Sequence, residues 1–99
     1  MNTKILEEVF EVIKDRRENP REDSYVSSLM DQGTGRILEK IDEESEELIK
    51  AVEVEGEDEI VHESADVLFH IMVLLANEEI EFEQIMEELR GRRKPREGE

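Results

Sequence analysis

Residues 58–77 constrain the fold of this chain most, because their apolar side chains cover more than one face of a helix. The apolar members of this segment are Ile60, Val61, Ala65, Leu68, Phe69, Ile71, Met72 and Leu75. A helix that is apolar on several sides is normally buried by neighbouring helices. We therefore predict that this segment is the central element of an all-α core.

Apolar residues at helical spacing predict four further helices. A first helix ends before Asn19 and Pro20, and Ser24 caps a short second helix that Gly33 terminates. A third helix covers about residues 36–54 and stops at Gly56, and a short fifth helix contains Phe82, Ile85, Met86 and Leu89. Strand alternation is absent from the sequence. The prediction is an all-α bundle of four to five helices in residues 1–90, followed by a disordered tail of basic and acidic residues at 91–99.

Size and charge limit the classes of partner. Ninety-nine residues allow one modest core, so we expect dimerisation of two identical chains to complete the bundle. The net charge is −16, with 29 acidic against 13 basic residues. This balance argues against nucleic acid as a partner and favours a small molecule that arrives with cations.

The longest apolar run, residues 67–76, is interrupted by His70 and is too short to span a bilayer. The amino-terminal residues also lack the apolar block of a signal peptide. We expect a cytoplasmic protein that makes no membrane contact.

Two pairs of carboxylates with i, i+3 spacing indicate a candidate metal site. Glu44 with Glu47, and Glu63 with Asp66, each place two acids on one helical face. If the chain turns at Gly56, the pairs meet at levels that differ by roughly 3 Å along an antiparallel helix pair. Four carboxylates at one level would suit a hard cation such as Mg²⁺.

The same residues also allow simpler interpretations. Acids are so frequent here that many such pairs arise by chance, and most of the glutamates belong to a solvated surface. Asp66 is the stronger signal, because an unpaired carboxylate among apolar neighbours is costly unless a cation is near. His62 is interpreted as a surface histidine that faces another direction than Glu63. His70 shares the face of Asp66 and either orients a carboxylate, touches substrate or simply packs.

Lys40 and Arg36 lie one and two turns before Glu44 on the third helix. Their positive charges could bind phosphate oxygens. Salt bridges to the surrounding acids are the alternative, and the sequence leaves both open.

Three segments carry a resemblance to a known family. They are residues 24–29 (S-Y-V-S-S-L), residues 37–47 (I-L-E-K-I-D-E-E-S-E-E) and residues 63–70 (E-S-A-D-V-L-F-H). Together they resemble the phosphoribosyl-ATP pyrophosphatases of histidine biosynthesis. That family belongs to the all-α nucleoside triphosphate pyrophosphohydrolases, whose signature is E-E-x-x-E followed by E-x-x-D. The similarity extends over nearly the whole chain.

The resemblance implies a reaction and a set of residues. The implied reaction is the hydrolysis of 1-(5-phosphoribosyl)-ATP to 1-(5-phosphoribosyl)-AMP and pyrophosphate. Glu44, Glu47, Glu63 and Asp66 would bind Mg²⁺, and Glu43 or Glu44 would take a proton from the attacking water. Lys40 would hold a phosphate, and Ser24 and Tyr25 would approach the substrate.

The chain departs from the family pattern at three positions. Asp42 and Glu79 stand where relatives commonly have glycine, and Val26 stands where threonine is frequent. Two alternative functions also fit the residues: a housekeeping pyrophosphohydrolase of the same superfamily, and a non-catalytic acidic adaptor that binds a partner helix.

Overall fold

The computed structural model describes residues 1–95 and contains five α-helices, with no strand among these residues. The helices are α1 (Lys4–Glu18), α2 (Tyr25–Gln32), α3 (Thr34–Val54), α4 (Glu57–Asn77) and α5 (Phe82–Arg92). The predicted all-α class and the number of helices are confirmed. No helix within residues 1–95 combines the length and the apolar character that a membrane crossing requires.

The core surrounds the carboxyl-terminal half of α4, as the sequence predicts. Val73 and Ala76 of α4 are almost fully buried against Phe10 and Ile13 of α1 and Ile37 of α3. The Phe82 ring of α5 packs against Phe10 with 5.6 Å between the ring centres. This half of α4 is therefore the apolar centre of the molecule.

The α1–α2 connection is fixed by serine hydroxyls. Ser24 caps α2 as predicted, because its Oγ accepts a hydrogen bond of 3.1 Å from the Ser27 backbone N–H. The buried Ser27 hydroxyl in turn accepts from the Arg21 N–H at 3.1 Å and donates to the Arg16 carbonyl at 3.4 Å. Gly33 ends α2 with φ of 98°, a conformation that L-residues rarely adopt.

The amino-terminal half of α4 forms a projecting hairpin with the carboxyl-terminal half of α3. Ala51 is fully buried there, but Val52, Val54 and Val61 are each more than 60% exposed. Within one chain, α4 is therefore covered on several sides only in its carboxyl-terminal half. The helices of one chain do not reach the end of the hairpin.

The carboxyl end of α4 explains the unusual residue at position 79. The Ile80 N–H donates to the Leu75 carbonyl at 2.8 Å and the Glu79 N–H donates to the Ala76 carbonyl at 3.1 Å. These two bonds form a Schellman motif, in which the residue just after the helix cap takes the left-handed conformation. Here that residue is Glu79. Glu79 has φ of 60° and is the only non-glycine residue with positive φ among residues 1–95.

The last helix continues beyond the predicted domain boundary. We predict a tail from residue 91 onward, whereas Gly91 and Arg92 lie within α5. Residues 96–99, the remainder of that predicted tail, lie outside the described residues.

Candidate active site

The α3–α4 hairpin brings acids from both helices together. Glu44 of α3 contacts the carboxyl group of Glu63 on α4, and Asp66 lies one turn further along α4. We call Glu44, Glu63 and Asp66 the acidic cluster. The side chain of Glu44 is only 14% exposed, whereas that of Asp66 is 36% exposed. Glu44 therefore forms the buried side of the cluster, and Asp66 forms the side that is open to solvent.

Glu63 is the least compensated acid of the cluster. Its Oε2 is buried and has no hydrogen-bond partner among residues 1–95. Burial raises the pKa of the Glu63 carboxyl, and its contact with Glu44 and the charge of Asp66 raise this pKa further. A shared proton or a shared cation would make this approach of like charges favourable.

His62 is exposed, as the interpretation from sequence expects, but it also lies close to two acids of the cluster. One ligand atom from each of His62, Glu63 and Asp66 can be chosen so that all three lie within 4.8 Å of one another. The His62 Nε2 lies 3.4 Å from Asp66 Oδ2, although the histidine is 63% exposed. The i, i+4 spacing from His62 to Asp66 was the sequence signal for this contact.

Glu44 and Glu47 both lie outside that group of three, but Glu44 contacts Glu63. Glu47 is exposed on α3, and the potential ligand atoms that converge among the described residues come from His62, Glu63 and Asp66. The predicted role of Glu47 as a metal ligand stays a prediction.

A cationic strip lies along α3 beside the acidic cluster and consists of Arg36, Lys40 and their shared partner Glu43. Lys40 Nζ lies 3.2 Å from Glu43 and 3.3 Å from Glu44, and Arg36 lies 3.5 Å from Glu43. The hydrogen bond from Lys40 lowers the pKa of the Glu43 carboxyl and raises that of the Lys40 ammonium group. Glu44 therefore connects the two regions, since it contacts Lys40 on one side and Glu63 on the other.

A hydrogen-bonded chain joins α2 to the cluster. The His70 Nδ1–H donates to the backbone carbonyl of Asp66 at 2.8 Å, because that carbonyl can only accept. In the neutral ring Nε2 must then accept from the Tyr25 hydroxyl, also at 2.8 Å. Burial raises the pKa of Tyr25, which keeps its proton available for this bond. His70 is 5% exposed and fixes the position of Tyr25.

The remaining predicted positions are accounted for individually. The Ser24 Oγ is engaged as the cap of α2 but its proton is available for a further bond. Val26 is buried in the core, where an apolar side chain packs well. Asp42 is exposed on α3.

The fold and the site define an all-α protein in which an acidic, cation-seeking cluster adjoins a cationic strip. This combination suits an enzyme that acts on a phosphoric anhydride. Comparison with known proteins identifies the family. The model of the phosphoribosyl-ATP pyrophosphohydrolase family matches residues 6–93, and the chain belongs to this hydrolase family.

Individual relatives agree with this assignment. The chain is 54% identical over 92 residues to the phosphoribosyl-ATP pyrophosphatase of Methanocella arvoryzae, covering 91% of this chain and 97% of the relative. It is 48% identical over 91 residues to that of Methanococcoides burtonii, covering 90% and 92%. It is 42% identical over 91 residues to that of Haloarcula marismortui, covering 90% and 93%.

Proposed function

We propose that this protein hydrolyses 1-(5-phosphoribosyl)-ATP between the α and β phosphates, yielding 1-(5-phosphoribosyl)-AMP and pyrophosphate, in the cytoplasm and with Mg²⁺. Family membership supports the substrate. The observation that carries the chemistry is the buried Glu63 oxygen without a partner, set between Glu44 and Asp66. A divalent cation would neutralise these acids while leaving its remaining coordination positions for phosphate oxygens.

The donor set fits Mg²⁺. Carboxylate oxygens are the ligands that hard cations prefer, and Glu44, Glu63 and Asp66 would hold the ion. His62 fits better as the group that orients Asp66 through their 3.4 Å contact, because imidazole is a poor Mg²⁺ ligand. When bound, Mg²⁺ supplies positive charge that stabilises the phosphate oxygens and the leaving pyrophosphate.

The cationic strip would bind the phosphates. Lys40 and Arg36 contact only protein carboxylates in the described structure, and Arg36 is paired with exposed acids. The exposed pair of Arg36 with Glu39 contributes about 0–1 kcal/mol, so a phosphate group can replace this pair at little cost. Each cation would then contact a substrate oxygen and keep the triphosphate in line with the acidic cluster.

Glu44 is better suited than Glu43 to take the proton of the attacking water. The pKa of Glu43 is lowered by Lys40 and Arg36, which makes this carboxylate a weaker base. Glu44 is largely buried and lies against Glu63. Because Glu44 belongs to the acidic cluster, its carboxylate would lie close to a water molecule held at a cation there.

We also propose that the enzyme is a homodimer. The exposed Val52, Val54 and Val61 at the end of the hairpin leave apolar surface that one chain does not cover. A second copy that packs on both hairpins would bury this surface. Sedimentation at micromolar concentration is expected to give the mass of two chains; a compact monomer would contradict the proposal.

Product analysis tests the function. Pyrophosphate release should be measured with phosphoribosyl-ATP, ATP and dUTP, each with Mg²⁺ and with EDTA. We expect rapid, Mg²⁺-dependent release from phosphoribosyl-ATP alone. Equal turnover of ATP or dUTP would indicate a housekeeping pyrophosphohydrolase, and no release from any substrate would favour the adaptor.

A further inference from the structure

An apolar cleft lies next to the acidic cluster, between α1, α2 and α4. Its volume is about 400 Å³, and its lining includes Val9, Val12, Tyr25 and Phe69. This volume is within the range of roughly 300–1,000 Å³ that is typical of small-molecule sites. Among the residues given a role in the site above, Ser24 and Tyr25 also line the cleft.

The cleft and the acidic cluster share α4, since Phe69 lines the cleft and Glu63 and Asp66 belong to the cluster. Phe69 follows Asp66 by three residues, so the two side chains lie on one helical face, roughly 5 Å apart along the axis. Tyr25 forms the wall between the two sites, since its ring lines the cleft and its hydroxyl is bonded to His70. A molecule with an apolar ring joined to phosphates could therefore occupy both.

The bond to His70 also decides what the Tyr25 hydroxyl can offer a ligand. Because its proton is donated to His70 Nε2, its oxygen keeps lone pairs that accept hydrogen bonds. A sugar hydroxyl is a suitable donor for such an oxygen. The arrangement thus places an apolar slot with two aromatic side chains beside an acceptor for a sugar.

Another cavity on the molecule lacks these properties. The cavity of about 300 Å³ between α1 and α5 has four acids against one base in its lining, which consists of Glu7, Phe10, Glu11, Glu81, Phe82, Glu83, Met86 and Arg90. Four acids would repel a nucleotide. The cleft beside Tyr25 has one acid, Glu8, and one base, Arg16, in its lining.

We propose that this cleft is the nucleoside subsite of the enzyme: the purine ring inserts between Val9, Val12 and Phe69, and a ribose hydroxyl donates to the Tyr25 oxygen. The proposal rests on the proposed function, because it assumes that the acidic cluster and the cationic strip bind the phosphates. It adds where the base lies and which residues favour a purine nucleoside over a bare sugar phosphate.

Two probes that differ only in the base test the proposal directly. AMP and ribose 5-phosphate should be titrated, each with Mg²⁺, while the methyl NMR signals of Val9 and Val12 are followed. We expect AMP to shift both signals and to bind at least about tenfold more tightly than ribose 5-phosphate, because only AMP buries an aromatic ring. AMP shifts confined to the neighbourhood of the acidic cluster would overturn the proposal.

A matched pair of variants separates the cleft from other apolar surface. Val12 and Leu89 are 52% and 51% exposed, but only Val12 lines the cleft. Val12→Trp should fill the cleft and remove the preference for AMP over ribose 5-phosphate, whereas Leu89→Trp should retain it. A preference that survives in Val12→Trp overturns the proposal.

The oligomeric state of Val12→Trp and the pyrophosphate release of the parent distinguish a wrong subsite from a wrong function. If Val12→Trp converts a dimer to monomers and the parent shows no AMP shifts at Val9 and Val12, the cleft is an interface between copies and the subsite proposal is wrong. Pyrophosphate release by the parent chain tests the proposed function separately. An active parent whose KM is unchanged by Val12→Trp refutes the subsite but not the reaction.

Discussion

The cationic strip and the acidic cluster lie side by side on one hairpin, but their charges are balanced in opposite ways. In the strip, Glu43 is paired with Lys40 and Arg36, and its pKa is lowered. In the cluster, Glu63 is buried against Glu44 and Asp66, and its pKa is raised. Two glutamates on facing helices therefore differ in the ease with which they lose a proton, because their partners carry opposite charges. The charge of Glu43 is balanced by protein cations, whereas Glu63 lies between two other acids.

Replacing an acid of the cluster should lower kcat far more than replacing the acid of the cationic strip. Glu44→Gln should lower kcat by at least about 100-fold, since it removes the proposed base and a metal ligand. Glu43→Gln should lower kcat by less than about tenfold, because this carboxylate is held by Lys40 and Arg36. Steady-state pyrophosphate release measures both, with helical circular dichroism to verify folding.

Glu46→Gln serves as the control for these variants because Glu46 is exposed on α3. It should have nearly normal activity. If Glu43→Gln is as harmful as Glu44→Gln, the assignment of the base to Glu44 is wrong.

Thermal unfolding with and without metal gives the next largest effect. Mg²⁺ at about 100 times its Kd should stabilise the parent by about 2.7 kcal/mol. Glu63→Gln and Asp66→Asn should each be at least as stable as the parent in EDTA, because a repelling charge is lost, and should gain less from Mg²⁺. A variant that is much less stable in EDTA but keeps its full Mg²⁺ response would identify a purely structural residue.

The stability of the metal-free protein should depend on pH through the ionisation of Glu63. In the folded state the pKa of Glu63 lies above the ordinary value of 4.5. The folded protein therefore binds this proton more tightly than the unfolded chain does, and the stability that Glu63 contributes falls as the pH rises above 4.5. Glu44, Asp66 and His62 are the charged groups that face it. The stability advantage of Glu63→Gln over the parent in EDTA should therefore increase from pH 4.5 toward neutrality. An advantage that is constant with pH would contradict the raised pKa.

The smallest expected effect lies outside both regions. Glu79→Gly should stabilise the protein by about 1 kcal/mol or less, because glycine adopts the left-handed conformation at φ of 60° without strain. Its contact with Arg17 is long, at 3.9 Å, and its loss should matter little. Denaturant unfolding measures the gain, and the response to Mg²⁺ should be unchanged. A changed response would mean that the cluster is not an independent unit.

The sequence predicts the core better than the surface. The pattern in residues 58–77 identifies α4 as central, and its half around Val73 is indeed buried. The same pattern marks Val61 as a core residue, yet it is 63% exposed. Periodicity reports which side chains are apolar, but it does not report where the neighbouring helices end.

The candidate site was predicted in part. The spacing and the turn predict that Glu44, Glu47, Glu63 and Asp66 meet, and Glu44 and Glu63 are in contact. The place of His62 depends on a side-chain rotamer, and the exposure of Glu47 depends on the rotation of α3, which spacing alone does not fix. Glycine in relatives at the position of Glu79 was a signal of backbone conformation, and φ is positive there.

We propose that the acidic cluster, and not the cationic strip, receives a divalent cation. Paramagnetic Mn²⁺, titrated as a substitute for Mg²⁺ into the isotope-labelled parent, broadens the NMR signals of nearby nuclei and so locates the ion. We predict that the signals of His62, Glu63 and Asp66 disappear at low Mn²⁺ and are restored by excess Mg²⁺, and that Glu63→Gln weakens this effect. Early broadening confined to the exposed acids around Glu39, with the signals of Glu63 and Asp66 intact, would contradict the claim.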